Sequence, residues 1–356
     1  EGGYEGTLQD WLASLVGPKG DKGDKGDKGE QGDIVLSTRV RLARNLEEFP
    51  FPCRLDTASR IKVNEKVRDT LLSCVPELGL HYVTMDSLSR EQAISLAERH
   101  LISPEFASVR EGRALMLTED ETVGIMLCEE DHIRVQVMKA GLALMDCYVL
   151  ADKIDSALDK KLNFAFDESL GYLTQCPTNL GTAMRASVML HLPALRRSGQ
   201  LAVLSSTISK LGLTLRGAYG EGRESRGDIY QLSNQITLGI TEQAAIENLQ
   251  SITRQLVTQE RAAAERMCAD VAMQDKIYRA LGILQSARVL SCDEMMDLIS
   301  LVRLGSARGI LDIPIEKLNE LLVNMQPATI SAANGKHIDA RQRDCLRADA
   351  VREALS

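Results

Sequence analysis

The sequence predicts an α+β fold: a mostly antiparallel sheet flanked by helices, followed by an all-helical C-terminal region. Three observations predict it. Polar and apolar residues alternate over 33–45 and again over 112–138, the period of strands with one buried face. Further strand-like segments fill 201–240. From Thr241 onward nearly everything carries apolar residues at helical spacing.

Residues 1–16 contain Trp11, Leu12, Leu15 and Val16, enough for a short docking helix, and Gly17–Gly32 has glycine at every third position. That is the period of collagen, but Pro18 is its sole imino acid, so a flexible polar linker is expected. In 33–45, DIVLSTRVRLARN, one strand face holds Ser37, Arg39 and Arg41 and the other Thr38, Val40 and Leu42. Residues 56–75 and 89–100 read as helices from their spacing and polar starts. Ala114–Leu117 and Val123–Cys128 flank a turn, and a third strand follows. If that strand begins early, Glu130, His132, Arg134 and Gln136 share a face. On pattern alone this is either an acid beside a base or a solvated face with a cross-strand ion pair. Residues 140–158 read as helical.

Cys176-Pro177-Thr178-Asn179 reads as a cap, with Ala183–Leu192 as the helix it introduces. The positive end of that helix and nearby arginines would favour a thiolate at Cys176 and place Arg185 near an anion-binding end. Between strands in 201–240, RGAYGEGRESRGD is a glycine-rich hairpin loop carrying Glu221. Helices are expected at 242–281, 293–303, 314–324 and 340–355. The N-terminal arm with its glycine-rich linker takes 1–32, and a composition shift near Arg261 divides the rest into 33–262 and 263–356.

Composition narrows the function. The chain has 356 residues, 44% hydrophobic and 26% charged, with a net charge of −8. An acidic balance argues against a nucleic-acid or membrane-surface binder. No apolar run approaches the ~18 residues of a membrane span, and the start lacks a signal-peptide core. The eight cysteines are scattered without CxxC and the five histidines are dispersed, which argues against structural zinc and for reduced cytosolic thiols.

Arginines recur around the expected sheet: Arg39, Arg41, Arg134, Arg185 and Arg216. A guanidinium fork matches phosphate oxygens and keeps its charge. Convergence of several would hold a polyphosphate without a P-loop, and GxxxxGK[ST] occurs nowhere. Glu130, Glu221 and Cys176 supply an opposite, negative end suited to a cationic nucleophile. Together they suggest phosphoryl transfer to a guanidinium.

STRVRLARN (37–45), EEDHIRVQ (129–136), CPTNLGTAMRASVM (176–189), RGAYGEG (216–222) and LSNQITLG (232–239) carry a resemblance over about 33–356. The chain resembles the phosphagen (guanidino) kinase superfamily, and within it the bacterial protein-arginine kinases of the McsB type. The resemblance implies ATP and Mg²⁺ as cofactors, with no protein-held metal. It implies nucleotide contacts from Ser37, Thr38, Arg39, Val40 and Arg41, from His100 and Arg134, from Arg185, Ala186, Ser187, Val188 and Met189, and from Arg216, Gly217, Ala218, Tyr219, Gly220 and Glu221. Glu130 and Glu221 would grip or deprotonate the acceptor guanidinium, with Cys176 as an orienting thiolate. Cys128 adds a second thiol near Glu130.

An RDxxRA sequence, with Arg343, Asp344, Arg347 and Ala348, would bind phosphoarginine as an allosteric signal; read without the family it is a solvated helix surface. The implied setting is cytoplasmic stress response and protein quality control: a homodimer, an activator of the McsA type, a repressor substrate of the CtsR type, and arginine-phosphorylated proteins marked for a Clp protease. No nucleic acid or membrane partner is expected. Only 36 residues precede Ser37, fewer than small-molecule guanidino kinases carry there. The alternatives are a kinase of a free guanidino compound and a non-catalytic phosphoarginine-binding adaptor.

Overall fold

Alternation in 33–45 is realised as the strand from which the rest of the sheet is built. The computed structural model describes residues 29–219, 225–335 and 338–356. The expected docking helix, the linker as far as residue 28, and Gly220 and Glu221 lie outside them. Ten strands are present among the described residues: β1 (Val35–Arg44), β2 (His81–Thr84), β3 (Ala114–Leu117), β4 (Val123–Leu127), β5 (Ile133–Ala140), β6 (Phe166–Asp167), β7 (Gly171–Tyr172), β8 (Met184–His191), β9 (Leu213–Gly217) and β10 (Ile229–Asn234). Eight form one sheet in the order β2-β3-β4-β5-β1-β8-β10-β9, antiparallel at every pairing, while β6 and β7 form a separate hairpin.

The helices are α1 (Thr57–Cys74), α2 (Arg90–Glu98), α3 (Pro104–Ser108), α4 (Leu144–Asp159), α5 (Pro193–Arg197), α6 (Leu201–Lys210), α7 (Glu242–Cys268), α8 (Val271–Ser286), α9 (Cys292–Ala307), α10 (Ile315–Asn324), α11 (Pro327–Asn334) and α12 (Ala340–Ala354). Polar caps set their starts. Asp56 accepts from the Ser59 amide, and Ser89 with Gln92 forms a reciprocal capping box on α2.

One sheet face is apolar. Val40, Leu42, Val135, Val137, Ala186, Val188 and Leu232 are buried there in the main core, against α1, α4 and α7. The opposite face is divided. At its β2–β4 end, α2, α3 and the segment between them cover it through Leu96, Leu101, Ile102 and Phe106 packed on Val83, Leu115, Leu117 and Met126. Over β5, β1, β8, β10 and β9 the same face carries the polar side chains.

Two expectations fail in instructive ways. Residues 183–192 are not a helix: Met184–His191 is β8, hydrogen-bonded between β1 and β10. Its residues are good helix formers, but Met184, Ala186, Val188 and Leu190 are buried on one side while Arg185 and Ser187 alternate to the other. A central sheet position overrides intrinsic propensity. Conversely, 201–240 is not all strand. Leu201, Leu204 and Ile208 recur at helical spacing, and that stripe packs α6 onto the core.

The helix expected over 242–281 breaks at Ala269–Asp270, where Asp270 caps α8. Position 262 lies inside continuous α7. The helix α11 had no expected counterpart.

The C-terminal helices are tied to the rest of the chain by the buried Arg303 and Glu260 and the half-buried Glu98. Arg303 donates to the carbonyls of Gly32 and Asp33, both at 3.0 Å, and to Asn319 Oδ1 at 3.0 Å. Glu98 at the end of α2 accepts from the amides of Ala328 (2.9 Å) and Thr329 (2.8 Å), capping α11. Glu260 on α7 accepts from the amides of Ala194 and Leu195 at 2.8 and 2.9 Å, capping α5.

Candidate active site

Strand register assembles the site. Arg41 lies opposite Gln136 on β5 and Arg185 on β8; Ala43, two residues on, lies opposite Arg134; Arg39 lies opposite Ser187. Gln231 on β10 lies opposite Met189 on one side and Arg216 on the other. Because side chains two residues apart share a face, Arg134, Arg41, Arg39, Arg185 and Arg216 project from one side of the sheet.

Burial and mutual repulsion both oppose their charge. The Arg39 guanidinium is pushed down to about 10, first by burial and then by Arg134. Arg41 is pushed well below its usual value by burial and by Arg39 and Arg134. The Nε atoms of Arg39 and Arg41 are buried without a hydrogen-bond partner. Arg39 Nη2 donates to Gln231 Oε1 at 3.2 Å, and Arg185 is aimed by Asn179 Oδ1 at 3.1 Å and the Asn234 carbonyl at 2.8 Å.

The acidic end lies where β5 begins. Arg134 contacts Glu129 at 2.5 Å and Glu130 at 3.3 Å. Glu129 is buried and also accepts from the Ser103 hydroxyl. Glu130 keeps an accessible carboxylate, and burial, followed by the neighbouring Asp131, raises its pKa. Asp131 Oδ1 accepts from Asn45 Nδ2 at 2.7 Å and from the Gln175 amide at 2.9 Å, which joins the Glu130 turn to the Cys176 turn. Cys176 Sγ lies 3.1 Å from Thr178 Oγ1. Arg185 lies within electrostatic reach of Cys176, Arg216, Glu130 and Arg134 together. Groups of both signs therefore lie within electrostatic reach of Arg185.

Several assignments need correction. No helix follows Cys176: Pro177–Asn179 is one 3-10 turn leading into β8, so helix-dipole activation of the thiol and a helix-end position for Arg185 both lapse. His132 is not on the strand face. Its Nδ1 accepts from the Leu46 amide and its Nε2 faces the Pro50 carbonyl, each at 3.0 Å, so it is a buried, neutral tether pushed down to about 4 by burial. The side chains of Thr38, Val40, Ala186 and Val188 point away from the arginines into the core. Cys128 is buried beneath Arg60, and burial pushes it up to about 12.

His100 lies within electrostatic reach of Arg39. It takes a positive φ of 60°, lies against Tyr219 at 2.9 Å between Nε2 and Oη, and is pushed down to about 4 by burial and Arg39. Ser37, Ser187 and Met189 share the arginine face. Gly217 ends β9 opposite Tyr230, and the Ala218 amide donates to the Ile229 carbonyl, so both sit at the base of the loop that carries Tyr219.

The comparisons with known proteins decide the family. A model of the ATP:guanido phosphotransferase C-terminal catalytic domain matches residues 62–263, and one of the protein-arginine kinase McsB C-terminal domain matches 270–356. The protein-arginine kinase of Halothermothrix orenii is 43% identical over 327 residues, 91% of this chain and 93% of that one. That of Symbiobacterium thermophilum is 45% identical over 331 residues, 91% and 94% of the two chains. This chain belongs to the protein-arginine kinase family.

Among solved structures, the substrate-free duplicated taurocyamine kinase from Schistosoma mansoni superposes with a TM-score of 0.57 at 31% identity, over 71% of this chain and 39% of that one. A lombricine kinase shares the fold, with a TM-score of 0.57 at 24% identity over 69% and 72%.

As a family member the chain is an ATP-dependent kinase, and its residues fit a nucleotide. The partnerless Nε atoms of Arg39 and Arg41 need acceptors, and crowded guanidinium groups need an anion. Among the described residues no group of His, Cys, Asp or Glu is placed to hold a metal ion. Sequence reasoning missed Glu129, Asn179 and Gln231, which aim the arginines. ARN and LSNQ were visible signals for Asn45 and Asn234.

Arg347 is buried rather than displayed. It donates to the carbonyls of Met325 and Leu290, both at 2.8 Å, and pairs with Asp344 at 2.5 Å. Ala348 is buried beside it, while Arg343 is half-exposed and reaches the Ile338 carbonyl at 3.4 Å.

Proposed function

We propose that this kinase transfers the γ-phosphoryl group of Mg-ATP to arginine side chains of proteins. One observation carries the reading: Arg39, Arg41, Arg134 and Arg185 converge on a single sheet face that ends at Glu130 and Cys176. The arginines hold the phosphates, and neutral His100 beside Tyr219 suits an aromatic base. A guanidinium, with a pKa above ~12, is a poor nucleophile until a proton leaves. Glu130 takes that proton from the attacking nitrogen. The nitrogen forms its bond to the γ-phosphorus, the bond from that phosphorus to the bridging oxygen breaks, and ADP leaves with the electron pair. Charge growing on the transferred group meets fixed guanidinium donors, the type of contact worth about 10²–10³ in rate. Glu221 is proposed as a second carboxylate and Cys176 as the sulfur that orients the acceptor.

Protein, rather than free arginine, is favoured as acceptor by relatives named for that activity at 43–45% identity. The same reading extends to marking of proteins for a Clp protease, control of a CtsR-type repressor, an McsA-type activator, a cytoplasmic homodimer, and phosphoarginine sensing around Arg343 and Arg347.

The test incubates the enzyme with radiolabelled ATP and either an arginine-rich protein or free arginine. Acid-labile label on the protein is expected. Label on free arginine alone rejects the protein-acceptor reading, and no transfer rejects the kinase in favour of an adaptor.

A further inference from the structure

The hairpin β6–β7 and the segment 236–238 have no role in the chemistry described above, yet both lie beside the acceptor end. The hairpin runs directly into Leu173 and on to Cys176. Asn45, which holds Asp131 beside Glu130, also donates to the Leu173 carbonyl at 3.0 Å. On the hairpin Phe166 and Leu170 are 57% and 40% exposed; in the second segment Ile236 and Leu238 are 51% and 49% exposed.

Backbone contacts make these two segments neighbours. The Gly181 amide donates to the Leu170 carbonyl at 2.7 Å. A Cβ on Gly171 would strike the Gly181 backbone at 2.4 Å, and one on Gly181 would strike the Thr237 carbonyl at 2.1 Å. Three chain segments are thus layered with no side chain between them. Thr237 Oγ1 donates to the carbonyl of Thr178, whose hydroxyl lies against Cys176.

The ledge is also stiff. Tyr172 covers the Arg44 guanidinium at 3.4 Å, Arg44 is paired with Asp155 at 2.7 Å in the interior, and Phe166 packs edge-on against Tyr172 at 5.3 Å. Asp167 Oδ1 caps the turn by accepting from the amides of Ser169 and Leu170 at 2.8 and 3.0 Å.

We propose that this ledge is where the substrate polypeptide lies: an extended segment whose arginine enters between Glu130 and Cys176 while flanking apolar residues rest on Phe166, Leu170, Ile236 and Leu238. Rigid, exposed apolar groups at the mouth of a polar site are suited to docking, since little order is lost on binding. The acidic Asp167 and Glu168 on the same hairpin complement arginine-bearing segments. A free guanidino compound ends inside the acceptor pocket and never reaches the ledge. This inference rests on the protein-acceptor reading and adds which surface selects the protein.

The test compares the full-length enzyme with Phe166→Ser/Leu170→Ser and with Ile236→Ser/Leu238→Ser. Initial rates are measured against an arginine-rich protein, against N-acetyl-arginine amide, and against ATP, with melting temperature followed in parallel. A rise of about tenfold or more in KM for the protein is expected. The melting temperature, kcat, KM for ATP and KM for the small acceptor stay as in the wild type. Glu168→Lys raises the protein KM most at low salt. An unchanged protein KM in both apolar variants overturns the ledge while leaving the kinase reading intact. So does an equal loss with the small acceptor, which would make the segments scaffold. A wild-type enzyme that labels no protein removes the acceptor reading and the ledge together.

Discussion

Arg39 and Arg41 hold charges that burial and neighbouring guanidinium groups oppose, and an anion offsets that opposition. Removing one should therefore weaken nucleotide use without weakening the fold. Arg39→Ala is expected to lower kcat/KM for ATP by about 10²–10³, with an unchanged or raised melting temperature because repulsion is relieved. Arg39→Lys restores little, since a point charge lacks the fork. A parallel fall in melting temperature would make Arg39 a scaffold residue. Glu130 gives a pH signature. Its pKa lies above the usual carboxylate value because of burial and Asp131, and only its ionised form can accept a proton. Activity should fall with acidification from a higher pH than an ordinary glutamate near 4.3 would dictate. Glu130→Gln should remove that acid limb along with most of the rate, read from kcat/KM against pH. Cys176→Ala should cut transfer sharply while the protein stays folded, and wild-type rates in that variant would remove the sulfur from the acceptor site.

At the scale of elements, alternation made β1 and β5 legible because one face of each is core and the other is charged. The arginines on those strands were legible with them. β8 was misread because MRASVML is rich in helix formers; its two-residue alternation was the better guide, and Arg185 reached the site on a strand. α6 was misread for the opposite reason, its β-branched residues hiding a helical stripe. Asn179, Gln231 and Glu129 were illegible as a group because each acts on a partner that register alone brings near. Glu260 on α7 is a similar case. It caps α5, but burial dominates and pushes it up to about 7 from 4.5. Between those values the folded protein holds a proton that the unfolded chain releases. Its contribution therefore declines as pH rises from about 4.5 through about 7. Glu260→Gln should flatten that part of the stability profile, read as the wild-type minus variant difference in melting temperature across pH 4.5–8. A constant difference would contradict the burial account.

For the whole molecule, the decisive ties run between the sheet and the C-terminal helices. One main core includes residues of both, from Val35 on β1 to Val351 on α12. Charged groups with little or partial exposure then fix how the parts meet: buried Arg303 on the chain entering β1, half-buried Glu98 on the start of α11, and buried Arg347 on the turns before α9 and α11. Glu98 leads within two residues to His100, so the helical region grips the end of α2 close to the residue that lies near Arg39. Arg347 bears on the proposed phosphoarginine signal. A sensor on a solvated helix face would tolerate its loss, but this guanidinium satisfies two interior carbonyls and Asp344. Arg347→Ala should strand those carbonyls beside a cavity and cost roughly 3 kcal/mol or more, seen as a lower denaturant midpoint with the slope preserved. Arg343→Ala, at a half-exposed position, should stay within about 0.5 kcal/mol of wild type. Activation by phosphoarginine is then best tested in Arg343→Ala, where a blunted response at unchanged stability isolates recognition of the anion. If Arg347→Ala instead unfolds at the wild-type midpoint, its carbonyl bonds do not hold the helices in place, and the side chain is free to serve a ligand.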